Sequence, residues 1–103
     1  MEVHFNNVYL EKLYAGLPVT GKPRYTEEVI EKFRKKVLIL VNLENVTQLH
    51  KFRSLNFEGL KGDKKGLYSI RVDKKYRLEF SIGKNKVEIQ GVVFIEELSN
   101  HYK

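Results

Sequence analysis

The spacing of apolar residues changes from a helical period to a period of two at Gly66. Before this residue, apolar side chains recur mostly three and four positions apart, as they do on one face of a helix. After it, apolar and polar residues alternate, which is typical of strands with one buried and one solvated face. Helices followed by strands predict an α+β domain, in which N-terminal helices pack on one face of a small antiparallel β-meander and the polar face stays open.

The helical part of the chain predicts three helices after a short first strand at residues 3–5. The first helix lies in residues 6–16 and ends at Gly16. The second begins after Thr26, a suitable N-cap, and two acidic residues there favour the positive end of its dipole. A shorter third helix is predicted in residues 46–55, with Val46, Leu49 and Phe52 or Arg53 on its apolar face.

The second helix has an apolar face and a charged face. The apolar face comprises Val29, Ile30, Phe33, Val37, Leu40 and Val41. The charged face comprises Glu31, Lys32, Arg34, Lys35 and Lys36. We interpret this basic run as a solvated helix surface rather than a binding site.

Three strands are predicted after Gly66, joined by short polar turns. Their alternating apolar residues are Tyr68, Ile70 and Val72 in the first strand, Tyr76, Leu78, Phe80 and Ile82 in the second, and Val87, Ile89 and Val93 in the third.

Length and composition limit the class of protein. A chain of 103 residues with 42% apolar residues predicts one domain, residues 1–103, with one core. The absence of cysteine excludes disulfides and thiolate nucleophiles and suits a reducing, cytoplasmic setting. The three histidines are far apart in sequence, so we expect neither a metal nor another cofactor. The longest apolar run, residues 37–41, is too short to span a membrane, and no signal peptide is visible. A net charge of +6 favours an anionic partner such as nucleic acid.

Almost all of the excess charge lies in residues 61–77, which carry seven basic and two acidic residues, a net charge of +5. The alternation of the first hairpin also fixes its register, because a shift by one residue would turn its apolar side chains outward. All apolar positions on both strands have even numbers, so the numbers of two opposite residues must add up to an even number. The tightest such hairpin has residues 73–75 as its loop. It predicts these opposite pairs: Val72 and Tyr76, Arg71 and Arg77, Ile70 and Leu78, Ser69 and Glu79, Tyr68 and Phe80.

Two arginines directly opposite each other repel. Either both side chains extend into water, or Glu79 or Glu88 neutralises one of them, or the pair binds an anion such as phosphate. Lys61, just before the first of these strands, can reach the same face. We expect the side chains of Lys61 and Arg77 to be exposed there.

Residues 60–80 contain the motif LKGDKKGLYSIRV followed by YRLEF. This motif resembles the signature of the HigB branch of the RelE/ParE toxins, the killer proteins of type II toxin–antitoxin modules. The resemblance implies a ribosome-dependent mRNA endoribonuclease that a HigA-like helix-turn-helix antitoxin holds inactive. It also implies cleavage without metal, in which the ribose 2′-OH attacks the neighbouring phosphodiester.

The resemblance assigns roles to particular residues. Lys61 matches the active-site lysine of the family and Arg77 matches the arginine that opens the following strand, whereas the role of Arg71 rests on the register alone. Such a reaction needs a base for the 2′-OH, cations for the developing charge and an acid for the leaving oxygen. The remaining lysines of the segment, which we expect to contact the RNA backbone, are Lys64, Lys65, Lys74 and Lys75.

The chain departs from the family pattern at two places. Glu58 stands where many HigB proteins have a histidine, three residues before the motif lysine. Many HigB proteins also end in Asp-Tyr-His directly on the last strand, whereas here His101 and Tyr102 follow several residues later. Either the tail folds back to deliver His101 or Tyr102, or general acid chemistry is weak here. Glu58, His101 and Tyr102 are kept as candidate catalytic residues.

Two other functions stay open at this point. One is a ParE-like toxin that inhibits a topoisomerase by binding it without cleaving anything, which the altered C-terminal residues favour. The other is a basic domain that binds RNA or a protein partner. The cluster of Lys61, Arg71 and Arg77 on one open face favours the nuclease, although a shared fold alone does not separate these functions.

Overall fold

A five-stranded mixed sheet with two α-helices forms the protein in the computed structural model, which describes residues 1–84 and 91–100. The strands are β1 (Glu2–Phe5), β2 (Glu58–Gly59), β3 (Tyr68–Arg71), β4 (Arg77–Lys84) and β5 (Gly91–Ser99). The helices are α1 (Val8–Ala15) and α2 (Glu27–Asn42). The α+β class predicted from the sequence is confirmed.

The end of α1 at Gly16 and the start of α2 after Thr26 are as the sequence predicts. The side chain of Asn7 accepts a hydrogen bond from the Leu10 amide at 3.1 Å and caps α1, which ends at Gly16 in the left-handed conformation, with φ of 74°. Thr26 caps α2, because its hydroxyl oxygen accepts a hydrogen bond from the Val29 amide at 3.2 Å.

The core lies between α1, α2 and the apolar face of the sheet. Its fully buried apolar side chains are Leu10, Phe33, Val37, Leu40, Leu49, Leu55, Ile70, Leu78, Phe80, Val93 and Ile95. Val41, predicted on the buried face of α2, instead stays 39% exposed, because the buried stripe ends at Leu40.

The predicted third helix is wrong. Two short 3₁₀ helices, Val46–His50 and Arg53–Leu55, occupy this stretch. Asn45 caps the first, and extended backbone at Phe52 separates the two. Because the chain turns at this point, Leu55 enters the core. Phe52, one of the two residues considered for the apolar face, remains 47% exposed.

The sheet is larger than the predicted antiparallel meander. Its strand order is β1-β5-β4-β3-β2, so β5 lies inside the sheet, antiparallel to β4 and parallel to β1. The described last strand extends to Ser99, beyond the predicted end at Val93, whereas predicted positions Val87 and Ile89 lie outside the described residues. The added pairings are those of β1 with β5 and of β2 with β3, and no residue pattern in the sequence predicts either of them.

A bulge in β5 sets which of its side chains face the site. Glu79 pairs with Glu97, but the next residue, Phe80, pairs with Ile95, so Glu96 is an extra residue opposite β4. The bulge places Glu97 on the same face as Glu79 while Ile95 stays in the core.

No helix in the described ranges, 1–84 and 91–100, is long and apolar enough to cross a membrane.

Candidate functional site

The register of the β3–β4 hairpin is the one that the sequence predicts. Arg71 pairs with Arg77, Ser69 with Glu79, Ile70 with Leu78 and Tyr68 with Phe80. The Val72 amide donates to the Tyr76 carbonyl at 2.9 Å and closes the turn around residues 73–75. The two arginines therefore lie side by side on the polar face of the sheet.

Arg77 is held from three sides. Its Nε donates to the Ser69 hydroxyl oxygen at 2.8 Å, its Nη2 donates to the carbonyl of Asn56, and the same Nη2 lies 3.4 Å from Glu58 Oε1. Only 12% of its side chain is exposed, contrary to the expected open position. Residues 56–58 cover the guanidinium of Arg77, and these contacts consequently fix its orientation.

Lys64 and Glu79 form a second ion pair on this face. Lys64 Nζ lies 2.7 Å from Glu79 Oε2, and Glu79 is only 2% exposed. Glu79 pairs with Lys64, and Arg77 pairs with Glu58, a carboxylate that was not considered as its partner in the sequence. Glu88, which was considered, lies outside the described residues. The polar face is thus partly buried rather than open as predicted: Ser69, Glu79 and Ser99 are buried, whereas Arg71 and Glu97 are exposed.

Acidic and basic side chains occupy separate rows across the sheet. The pairings of β2 to β5 align Glu58, Ser69, Glu79 and Glu97 in one row and Arg71, Arg77 and Ser99 in the next. Proton acceptors and fixed cations are consequently adjacent, as acid–base chemistry on a phosphate requires.

A cavity of about 580 Å³ adjoins these rows where β5 ends. Tyr25 lies in it, donating its hydroxyl proton to the Leu98 carbonyl at 2.9 Å, with Glu97 Oε1 at 3.4 Å. Burial, together with the charge of Glu97, raises the pKa of Tyr25 to about 12, so its hydroxyl remains a donor at neutral pH. Sequence reasoning missed Tyr25 because it lies in a loop without periodicity.

The other predicted residues are more exposed. Lys61 precedes the 3₁₀ helix Gly62–Lys64 and makes no side-chain hydrogen bond or ion pair with any described residue. Lys65, Lys74 and Lys75 are also exposed. His101 and Tyr102, predicted for proton transfer, lie outside the described residues. Within the ranges 1–84 and 91–100, no group of three histidine, aspartate or glutamate side chains could hold a metal ion.

Several solved structures have a fold similar to that of this chain. A point mutant of YafQ from E. coli superposes with a TM-score of 0.61 at 14% identity, over 97% of this chain and 92% of that one. A YoeB/ParE toxin from Agrobacterium tumefaciens gives 0.55 at 16% identity, over 99% and 100% of the two chains. The YoeB–YefM complex from Staphylococcus aureus gives 0.54 at 20% identity, over 99% and 98%. The fold is therefore the one that these YafQ and YoeB chains share.

The chain belongs to the family of HigB-like toxins. The model of the HigB-like toxins, described as RelE-like toxins of type II toxin–antitoxin system HigB, matches residues 3–92. This match confirms the resemblance that the motif in residues 60–80 indicated. No curated protein sequence matches the chain.

Proposed function

We propose that this protein is a ribosome-dependent mRNA endoribonuclease, the toxin of a type II module. The observation that carries the proposal is the contact between Glu58 and Arg77, a half-exposed carboxylate beside a guanidinium that Ser69 and Asn56 hold in place. A base and a fixed cation within 3.4 Å of each other are the two groups that attack by a ribose 2′-OH needs first.

In the proposed reaction, Glu58 takes the proton from the 2′-OH, and the 2′-oxygen forms a bond to phosphorus. The bond from phosphorus to the 5′-oxygen breaks, leaving a cyclic phosphate, and an acid protonates the departing oxygen. Arg77 stabilises the charge that develops on the phosphate, with Lys61 and Arg71 as further cations beside it. His101 and Tyr102 are the proposed sources of the leaving-group proton, on the basis of the family resemblance.

We further propose that a HigA-like helix-turn-helix antitoxin binds the protein in the cytoplasm. The family description names a type II toxin–antitoxin system, which supports an antitoxin partner. The YoeB neighbour from Staphylococcus aureus was solved together with YefM, which supports a protein partner for this fold. The net charge of +6 favours an antitoxin with an acidic or amphipathic binding segment.

The test is mRNA cleavage on purified, translating ribosomes by the wild type, Glu58→Gln and Arg77→Lys. Arg77→Lys keeps the charge but loses the planar fork that reaches Ser69 and Asn56 together, so we expect a loss of about a hundredfold or more in rate. Glu58→Gln keeps the shape and removes the base, so we expect a comparable loss. Lys35→Gln, on α2 and outside the site, should cleave like the wild type.

Arg77→Ala is a poorer probe than Arg77→Lys, because a side chain only 12% exposed contributes to folding as well. Thermal unfolding of each variant separates the two effects. Folded Arg77→Lys protein that cleaves at the wild-type rate would contradict the proposed site. Growth arrest by a wild-type protein that cuts no mRNA on ribosomes would instead indicate a non-enzymatic toxin.

A further inference from the structure

A cationic cleft of about 450 Å³ separates α2 from the turn of the β3–β4 hairpin. Four basic side chains from the two elements line it: Lys32, Lys36, Arg71 and Lys74. These residues are distant in sequence, and the basic run on α2 was expected to be an ordinary solvated surface. The fold brings two of its lysines to the same cleft as two cations of the hairpin.

The carboxylates near this cleft leave most of its positive charge available. Lys32 pairs with Glu28 at 3.1 Å. The carboxylate of Asp73 accepts hydrogen bonds from the backbone amides of residues 75 and 76, both at 2.8 Å, and so stabilises the turn. Among the described residues, none of the carboxylates forms an ion pair with Lys36, Arg71 or Lys74.

The cleft is continuous with the candidate site. Asn56 lines the cleft, and its carbonyl accepts the hydrogen bond from Arg77. Arg71, also in the lining, pairs directly with Arg77 across the hairpin. A nucleic-acid strand with one phosphate at Arg77 would therefore bring its next phosphates to Arg71 and then to the lysines of α2.

The lining favours a phosphate chain over a peptide. Apart from the four cations and Asp73, it comprises Ser54, Asn56 and the nearly buried Val72. Peptide segments that bind in grooves need apolar pockets for their anchoring side chains. Cations combined with hydroxyl and amide groups are instead the usual partners of a nucleic-acid backbone.

We propose that this cleft binds the phosphodiester backbone of the substrate RNA on one side of the cleaved bond. The proposal rests on the proposed nuclease function and extends it, because it gives Lys32 and Lys36 a role in holding the strand. Lys35 does not line this cleft; it borders Leu38 and Tyr14 on another flank of α2 and provides a control.

The test uses single-stranded 2′-O-methyl oligouridylate, which lacks the attacking hydroxyl and cannot be cleaved. Its affinity is measured by fluorescence anisotropy over a range of salt concentrations for the wild type, Lys36→Gln/Lys74→Gln and the control Lys12→Gln/Lys35→Gln. Each phosphate contact on a single strand contributes about 0.7 to the slope of log K against log salt. The cleft variant should therefore lose about 1.4 from that slope, and the control, with the same charge removed, should keep it.

Three further measurements make the outcome specific. In the ribosomal cleavage assay, the cleft variant should show a raised KM with kcat preserved, whereas Arg77→Lys should lose kcat.

Equal slopes for the cleft variant and the control would overturn the proposal. Normal oligouridylate binding with weaker binding to ribosomes that carry no mRNA would also overturn it and assign the cleft to ribosomal RNA. The same oligouridylate result with weaker binding of an acidic antitoxin segment would overturn it in favour of a protein partner. Because the oligouridylate assay needs no cleavage, it remains decisive if the proposed nuclease function fails.

Discussion

The ion pair between Lys64 and Glu79 connects the segment before β3 to the middle of β4. Its two partners differ in burial: 41% of the Lys64 side chain is exposed, but only 2% of Glu79 is. Lys64→Ala would leave a carboxylate buried without this cation, and an unsatisfied buried group costs about 1 to 3 kcal/mol. Because Lys64 is partly solvated and Glu79 has a further interaction, we expect Lys64→Ala to lower the free energy of unfolding by about 1 to 2 kcal/mol. Breaking a fully buried ion pair would cost more, roughly 3 to 5 kcal/mol.

Lys65→Ala is the matched control, since Lys65 is the next residue and is exposed. Urea unfolding should show a loss of stability within about 0.5 kcal/mol for it. Glu79→Gln completes a double-mutant cycle, in which the double variant should be more stable than the two single losses predict together. Equal unfolding free energies for Lys64→Ala and Lys65→Ala would refute the structural role of Lys64.

Three further outcomes follow from the structure. Gly91→Ala would place its Cβ against the side chain of Val46 and should cost about 1 to 3 kcal/mol in urea unfolding, with part of the loss recovered by Val46→Ala. Tyr25→Phe removes the hydrogen bond to the Leu98 carbonyl and should cost about 1 kcal/mol at neutral pH. Because the folded pKa of Tyr25 is raised from 10.0 to about 12, its contribution is present below pH 10 and is lost as pH rises through 12. An alkaline absorbance titration of Tyr25→Phe should lack an ionisation near pH 12 that the wild type shows. The rate of antitoxin association should fall as salt rises, and a stopped-flow rate independent of salt would count against electrostatic attraction.

The register of the β3–β4 hairpin could be predicted because two physical constraints coincide there. Strict alternation fixes which residues must be buried, and the three-residue turn leaves only one register that buries them all. The opposition of Arg71 and Arg77 followed without any knowledge of the remaining fold.

The burial of the polar face could not be predicted in the same way. Ser69 and Glu79 alternate with apolar residues, which normally places such side chains in water, yet they are 0% and 2% exposed. The residues that supply their cover, 56–64, form a two-residue strand and a single 3₁₀ turn, and neither leaves a periodic signal. The contact between Glu58 and Arg77 depends on this cover, so the sequence named both residues without indicating that they meet.

The position of β5 inside the sheet has a consequence for the order in which the chain can fold during translation. β5 is synthesised after every other described element, yet it must insert between β1 and β4. Until it leaves the ribosome, β1 has no strand partner, and closing the long loop between β1 and β5 costs about 4 kcal/mol of chain entropy. The nascent chain therefore carries α1 and α2 with part of their apolar surface uncovered. The part of the candidate site that pairs with β5, where Glu79 faces Glu97 and Arg77 faces Ser99, therefore forms only after β5 has been synthesised.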